Sequence, residues 1–353
     1  MRRTVLAIVM SVGLLALVAT PALAFHDQGV AACNGCHTMH NSENGQMVDP
    51  TAPNGNPYLL KNGTPSDVCL SCHATSHGAV WGTDPLNPPP EKGGGNFAYL
   101  SAPNLNDGHS GHLSPIPGSY GGHNVIAPSK NATADPVLTR APGGTYLASS
   151  MSCTSCHNPH GNAHFRLLYG AGHVEAGNYT FTNAAPTAVG LGISTATDVE
   201  APNKHTAYQG GMSAWCANCH GNFHDGNGAL LKHPSGVAMG ASIAQVYNMY
   251  NGTADQTGGV AATAYTPLVA FEDPGMTTTS TAGPTATSQV SCISCHRAHG
   301  TSAPNIGRWD FNISTWAAEG VESGSYPIPN PYPATGNTQR SLCNKCHNRD
   351  SGN

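Results

Sequence analysis

CTSCHNPHG (residues 153–161) and CISCHRAHG (residues 292–300) are near twins. Each contains Cys-x-x-Cys-His, a covalent c-type haem attachment signature, and each sets another histidine three residues after the first. In such a motif the two cysteines form thioethers to the haem vinyl groups, and the adjacent histidine binds iron from the side of the peptide. The second histidine of each twin is therefore the feature to explain.

The cysteines all obey this pattern. CNGCH, CLSCH, CTSCH, CANCH, CISCH and CNKCH use Cys33, Cys36, Cys69, Cys72, Cys153, Cys156, Cys216, Cys219, Cys292, Cys295, Cys343 and Cys346, and none is left over. A disulfide framework or zinc sites would not require a histidine after every second cysteine. The reading is six covalent haems c, with His37, His73, His157, His220, His296 and His347 as the proximal iron ligands.

Thirteen histidines remain outside the motifs. Five stand three or four residues past a proximal histidine: His40, His160 and His299 at +3, and His77 and His224 at +4. Random scattering would put roughly half a histidine in those positions, so the enrichment outweighs a reading as surface histidines in polar loops. If the motif is a short helical turn, residues three or four apart share one face, with Cβ atoms about 5–6 Å apart. Both imidazoles then leave on the same side, and the second cannot reach the far face of its own porphyrin. It is expected to reach a neighbouring haem, so that one peptide grips two haems. His26, His123 and His233 stand apart from the motifs.

The rest of the composition fits a chain whose core is cofactor. Charged residues are 9% and aromatics 7%, while 42 Gly and 27 Pro make up about a fifth of 353 residues; such a chain would ordinarily be too loose to bury a core. Residues 1–24, with Arg2 and Arg3 before an apolar run that ends in Ala-Leu-Ala, read as a signal peptide. Residues 25–353 read as a single hexahaem cytochrome domain. Without Arg2 and Arg3 the mature formal charge is 12 minus 19, or −7. This argues against nucleic acid as a partner, and no later stretch has the roughly 18 apolar residues of a membrane span. An exported, soluble protein is expected.

The motifs begin at irregular intervals, so they are not a solenoid period. Linkers such as WGTDPLNPPPEKGGGN predict coil. The expected fold is mostly irregular coil with a few short helices and little strand, wrapped around a chain of haems. One helix is expected at 241–250, where Ile243, Val246, Tyr247 and Tyr250 form an apolar stripe to pack on a haem face. VAATAYTPLVAF (260–271) reads as a strand.

With FHDQGVAACNGCHTMHNS, GHNVIA, APGGTY, GMSAWCANCH, LKHPSG and SLCNKCH added to the twins, the chain resembles the extracellular multihaem cytochromes that polymerise into conducting filaments in metal-reducing bacteria. The resemblance implies six stacked bis-histidine haems per protomer, in a homopolymer that hands electrons to other cytochromes, extracellular metal oxides or electrodes. It implies that His40 ligates the fifth haem, held by Cys292 and Cys295, of a neighbouring protomer. It also makes His26, His77, His123, His160, His233 and His299 distal candidates. These outnumber the five remaining vacancies, and His224 competes with His233. His109, His112, His164, His173 and His205 have no assigned role.

Iron held by two histidines is saturated, which leaves outer-sphere electron transfer and a cell-surface or extracellular filament as the principal reading. A multihaem reductase needs an open haem, often marked by CxxCK, and none occurs. A monomeric periplasmic or secreted carrier stays open; it would hold all six distal ligands within one chain.

Overall fold

The computed structural model describes residues 32–74, 80–82, 94–102, 116–175, 177–191, 206–225, 233, 235–250, 259–261, 269–276, 283–308 and 345–346. Among these, regular structure is sparse and much of it is built onto the Cys-x-x-Cys-His units. Helices α1 (Cys33–Cys36) and α5 (Cys292–Cys295) are single turns at the first and fifth motifs, and the third motif is a 3-10 turn at Cys153–Ser155. Helices α2 (Pro65–His73) and α3 (Met212–Asp225) carry the second and fourth. The remaining helix, α4 (Gly240–Met249), carries no motif.

Local sequence explains these boundaries. Thr64 caps α2 by accepting the Asp67 amide, with Pro65 at the first helical position, where its missing N–H costs nothing. Ser152 and Ser155 form a capping box on the third motif, and Ser291 and Ser294 form the same box on the fifth.

Two antiparallel pairs of two-residue strands, β1 (Ser42–Glu43) with β2 (Gln46–Met47) and β3 (Val174–Glu175) with β4 (Tyr179–Thr180), close hairpins. A four-stranded sheet runs in the order β5 (Thr187–Gly190), β6 (Thr206–Gly210), β7 (Phe271–Glu272), β8 (Gln289–Val290). Its register pairs Tyr208 with Glu272 and Glu272 with Gln289. Strand β6 feeds α3 through Gly211, and β8 runs into α5. The sheet thus brings the fourth and fifth motifs together. Only Phe271 of the strand expected at 260–271 lies in β7; residues 262–268 are outside the described set.

Apolar side chains form small clusters rather than one core. Helix α4 stands where its periodicity puts it, but its buried face is Ala244 and Tyr247, continued by Tyr250, against Met239, Val269 and Phe271. Ile243 is 39% exposed, off the buried face. Tyr247 meets Phe271 edge-on at 4.9 Å, where the sequence reading expected a haem face. Among the described residues no helix is long and apolar enough to cross a membrane.

Candidate functional site

The first, third and fifth motifs are built alike. In the first and fifth, the helical turn stops at the second cysteine and the following histidine is extended: His37 has φ −116°, ψ 150° and His296 has φ −120°, ψ 161°. A short turn from further along the chain then docks onto each of the three motifs. Thr38 donates to the Leu59 carbonyl and Lys61 to Cys36; Asn158 donates to Leu167 and Tyr169 to Cys156; Arg297 donates to Ile306 and Arg308 to Cys295, all at 2.7–3.0 Å. Each docking turn carries two consecutive non-glycine residues at positive φ: Tyr58 and Leu59, Arg166 and Leu167, Asn305 and Ile306. The first of each pair presents its carbonyl to the proximal ring. His37 Nδ1 donates to Tyr58 O at 3.0 Å, His157 Nδ1 to Arg166 O at 2.8 Å, and His296 Nδ1 to Asn305 O at 3.0 Å.

The fourth motif uses other parts for the same purpose. His220 lies within α3 at a local kink and donates Nδ1 to Pro142 O at 2.8 Å. The acceptor comes from APGGTY (141–146), and the Gly143 carbonyl accepts Asn222 N at 2.8 Å. A Cβ on Gly144 would lie 1.7 Å from the Cys219 carbonyl oxygen, so only glycine allows this approach. In all four motifs a backbone acceptor fixes the Nδ1–H tautomer and leaves Nε2 free for a metal.

Distant histidines stand opposite these rings. The ring centroids of His37 and His160 are 6.2 Å apart, those of His157 and His299 6.3 Å, and those of His220 and His123 6.0 Å. Two imidazoles sharing one metal from opposite sides, with bonds of about 2 Å, hold their centroids roughly 6 Å apart. The three pairs therefore fit a bis-imidazole iron, with the thiols of each Cys-x-x-Cys beside it to hold the porphyrin. His123 Nδ1 donates to Ala298 O at 2.6 Å, and His299 stacks on Phe97 at 4.6 Å. Burial pulls His123 down to about 4 and His299 to about 3, and it lowers His157, His220 and His296 as well. All are held in the neutral form that coordinates metal.

Gly-rich segments meet where His123 and His299 sit. The His299 amide donates to Gly94 O, His123 N to His299 O, and Thr301 N to Gly121 O. A side chain on Gly95, at φ +81°, would meet the Gly300 carbonyl at 2.1 Å. The glycines around these histidines let three backbones cross within hydrogen-bonding reach.

The motifs are also joined in pairs. Ser66 Oγ accepts the Cys153 amide at 3.2 Å, and Ser213 Oγ accepts the Cys292 amide at 3.2 Å. Each serine stands three residues before the first cysteine of α2 or α3, and the thiols of Cys69 and Cys153, and of Cys216 and Cys292, lie within hydrogen-bonding reach of each other. The spacing Ser-x-x-Cys was legible in the sequence. The docking turns were not, because NPYLL, HFRLL and APNIG have only an aliphatic fourth residue in common and, of their positive-φ residues, only Asn305 belongs to a type that favours that region.

His40 is exposed, at φ 58° in a turn with the exposed Met39. No ring pairing like these three involves His40 among the described residues, while burial, together with the nearby His220 and His233, lowers His296. His233 is exposed. His224 falls within α3. His164 donates Nδ1 to Leu168 O at 2.8 Å, and His173 pairs with Glu175 at 3.1 Å. Of the sixth motif only Lys345 and Cys346 are described; residues 1–24, expected to be a signal peptide, and His26, His77, His109, His112, His205, Cys343 and His347 lie outside the described residues.

Residues 26–78 match the family model described as a doubled CXXCH motif. The chain is similar to the C-type cytochrome OmcS of Geobacter sulfurreducens, at 32% identity over 95% of this chain and 96% of the relative. Two solved structures from that organism are similar in fold. One is an Outer Membrane Cytochrome S filament, with a TM-score of 0.70 and 32% identity over 92% of this chain and all of the other. The second is the cryo-EM structure of OmcS nanowires, with a TM-score of 0.69 and 29% identity over the same shares.

Proposed function

This chain belongs to the OmcS family of c-type cytochromes, electron-transfer proteins with haem c covalently bound at CxxCH motifs, and we propose that it carries six bis-histidine haems per protomer in a filament that conducts electrons outside the cell. Its mostly coil fold is that of the OmcS filament protomer. Bound haem supplies reversible one-electron storage at iron. The histidine pairs would hold the iron and leave no position for substrate, and their placement would set the path from one haem to the next.

The observation that carries this reading is the order of the imidazole pairs. His160, at +3 in the third motif, stands opposite His37 of the first; His299, at +3 in the fifth, stands opposite His157 of the third. Each +3 histidine thus serves the iron two motifs back. Continued by one step, the rule leaves His40 with no earlier motif in its own chain and His296 with no later one. A second copy meets both needs, with its His40 on the iron at His296. The exposure of His40 beside Met39 (71% exposed) and Tyr58 (82%) supports this end as an intersubunit face.

A second rule supplies the even motifs. His123 precedes the third motif and stands opposite His220 of the fourth. In the same register His26, before the first motif, serves His73, and His233, before the fifth, serves His347. This assignment fills all twelve axial positions and drops His77 and His224, the two +4 histidines. The acceptors proposed for the filament are other cytochromes, metal oxides, electrodes and partner cells.

Haem content and spin state of the purified protein test the reading. Six haems per chain, a low-spin spectrum and no carbon monoxide binding after reduction are expected. A substantial high-spin fraction or stoichiometric carbon monoxide binding would contradict it.

A further inference from the structure

Two buried carboxylates sit where motifs are paired through their first cysteines. Glu272 is 3% exposed on β7. Its Oε1 accepts from Ser213 N at 2.9 Å, Ser213 Oγ at 2.9 Å and Ser291 Oγ at 2.8 Å, and its Oε2 accepts from Met212 N at 3.2 Å. Ser213 Oγ also accepts the Cys292 amide. The carboxylate therefore ties the start of α3, and with it the fourth motif, to the start of α5 and the fifth. Through Ser213 it reaches α3 three residues before Cys216, and it adds to Cys292 and burial in raising that thiol.

Asp67 occupies the corresponding place between the second and third motifs. It is 6% exposed and accepts from Thr64 Oγ at 2.9 Å and Ser129 N at 3.0 Å. It adjoins Ser66, whose hydroxyl accepts the Cys153 amide at 3.2 Å. The two acids reach these places by different routes, one from the motif's own helix and one from a strand about sixty residues further on. Hydrogen bonding alone does not require an acid at either junction, since a neutral amide or hydroxyl oxygen can also accept from serine or from an amide.

We propose that Glu272 and Asp67 set haem potentials, holding the haems at their paired motifs more reducing than an uncharged junction would. The inference rests on the reading that haems occupy these motifs. Adding an electron to iron next to a fixed negative charge is unfavourable, and burial denies that charge the screening of water. The serine hydroxyls and the α3 amides around Glu272 are dipoles, whose field falls faster with distance than that of a net charge, so at the porphyrin the net charge prevails. Arg308, buried beside His296, has the opposite sign, so the Glu272 effect is clearest at the fourth motif. Glu175, near Cys156 and Cys219, pairs with His173 at 3.1 Å and lies outside these two junctions.

The test is a spectroelectrochemical titration of the intact secreted holoprotein. In E272Q a subset of the haems is expected to titrate at more positive potential, with the number of haems per chain and the low-spin spectrum unchanged. S213A removes the bridging hydroxyl and keeps the charge; its curve is expected to overlay that of the native protein. An E272Q curve that overlays the native one, or an S213A curve displaced as far as that of E272Q, would overturn the proposal. If E272Q does not accumulate, D67N decides: a positive shift of a subset supports the proposal, and an unmoved curve overturns it. A haem count other than six in the native protein is a failure of the underlying reading and is measured independently of the shift.

Discussion

The third and fourth motifs hold their proximal histidines by opposite strategies. In the third, a 3-10 turn ends at Ser155 and a docking turn at 165–167 supplies the carbonyl for His157. In the fourth, α3 continues past His220 to Asp225, and the carbonyl comes from Pro142, some eighty residues earlier. The difference governs the next histidine. Where regular structure stops before the proximal residue, the +3 histidine is released in a new direction and stands opposite a distant ring, as His160 and His299 do. In the fourth motif the chain kinks at His220 and returns to helix through Asp225, with no extended segment after the proximal residue, and we assign no iron to His224. The two spacings, which look alike in the sequence, are two different devices.

The contrast is broken most severely at the chain's end. His40→Ala is expected to abolish polymerisation and leave all six haems attached, as read by electron microscopy and haem content; intact filaments from this variant would remove the intersubunit assignment. Next in size, His160→Ala should open one iron per chain, giving a high-spin signal and one equivalent of carbon monoxide binding after reduction. His224→Ala should give neither, and equal effects from both would erase the distinction between +3 and +4.

The fixed backbones rank third. Gly144→Ala puts a methyl into the Cys219 carbonyl and should cost about 3 kcal/mol or more, seen as a fall in the denaturation midpoint of the holoprotein. Asn305→Gly, at φ 58° in a docking turn, removes a side chain from a left-handed position and should change stability by about 1 kcal/mol or less. The smallest effect is expected on the exposed side of α4, where Ile243→Ser should stay within about 0.5 kcal/mol.

Much of this architecture is legible in the residues. Six Cys-x-x-Cys-His units, sparse charge and abundant Gly and Pro already specify coil around covalent haem, and the family relationship agrees. The helix at 241–250 followed from its period, although its buried face is centred on Ala244 and Tyr247 rather than beginning at Ile243. His160 and His299 stand opposite distant rings, and the local backbone accounts for their direction. The helical turn expected from the sequence ends before His37 and His296, and extended backbone turns the later residue away. What the sequence hid was long-range and carried by the backbone. The carbonyls of Tyr58, Arg166, Asn305 and Pro142 act through their positions, which no residue type at those sites announces. Glu272 gave no signal either, because it lies 59 residues from Ser213 and 19 from Ser291, the two serines it meets.

The central claim is that each odd motif's second histidine ligates the iron two motifs back and that this rule crosses the subunit boundary. A cryo-EM map of the native filament, resolved well enough to trace side chains to iron, tests it most directly. The account predicts His160 on the iron of the first motif, His299 on that of the third, and a neighbouring protomer's His40 on that of the fifth. A map in which one chain supplies all twelve ligands of its own haems would contradict it.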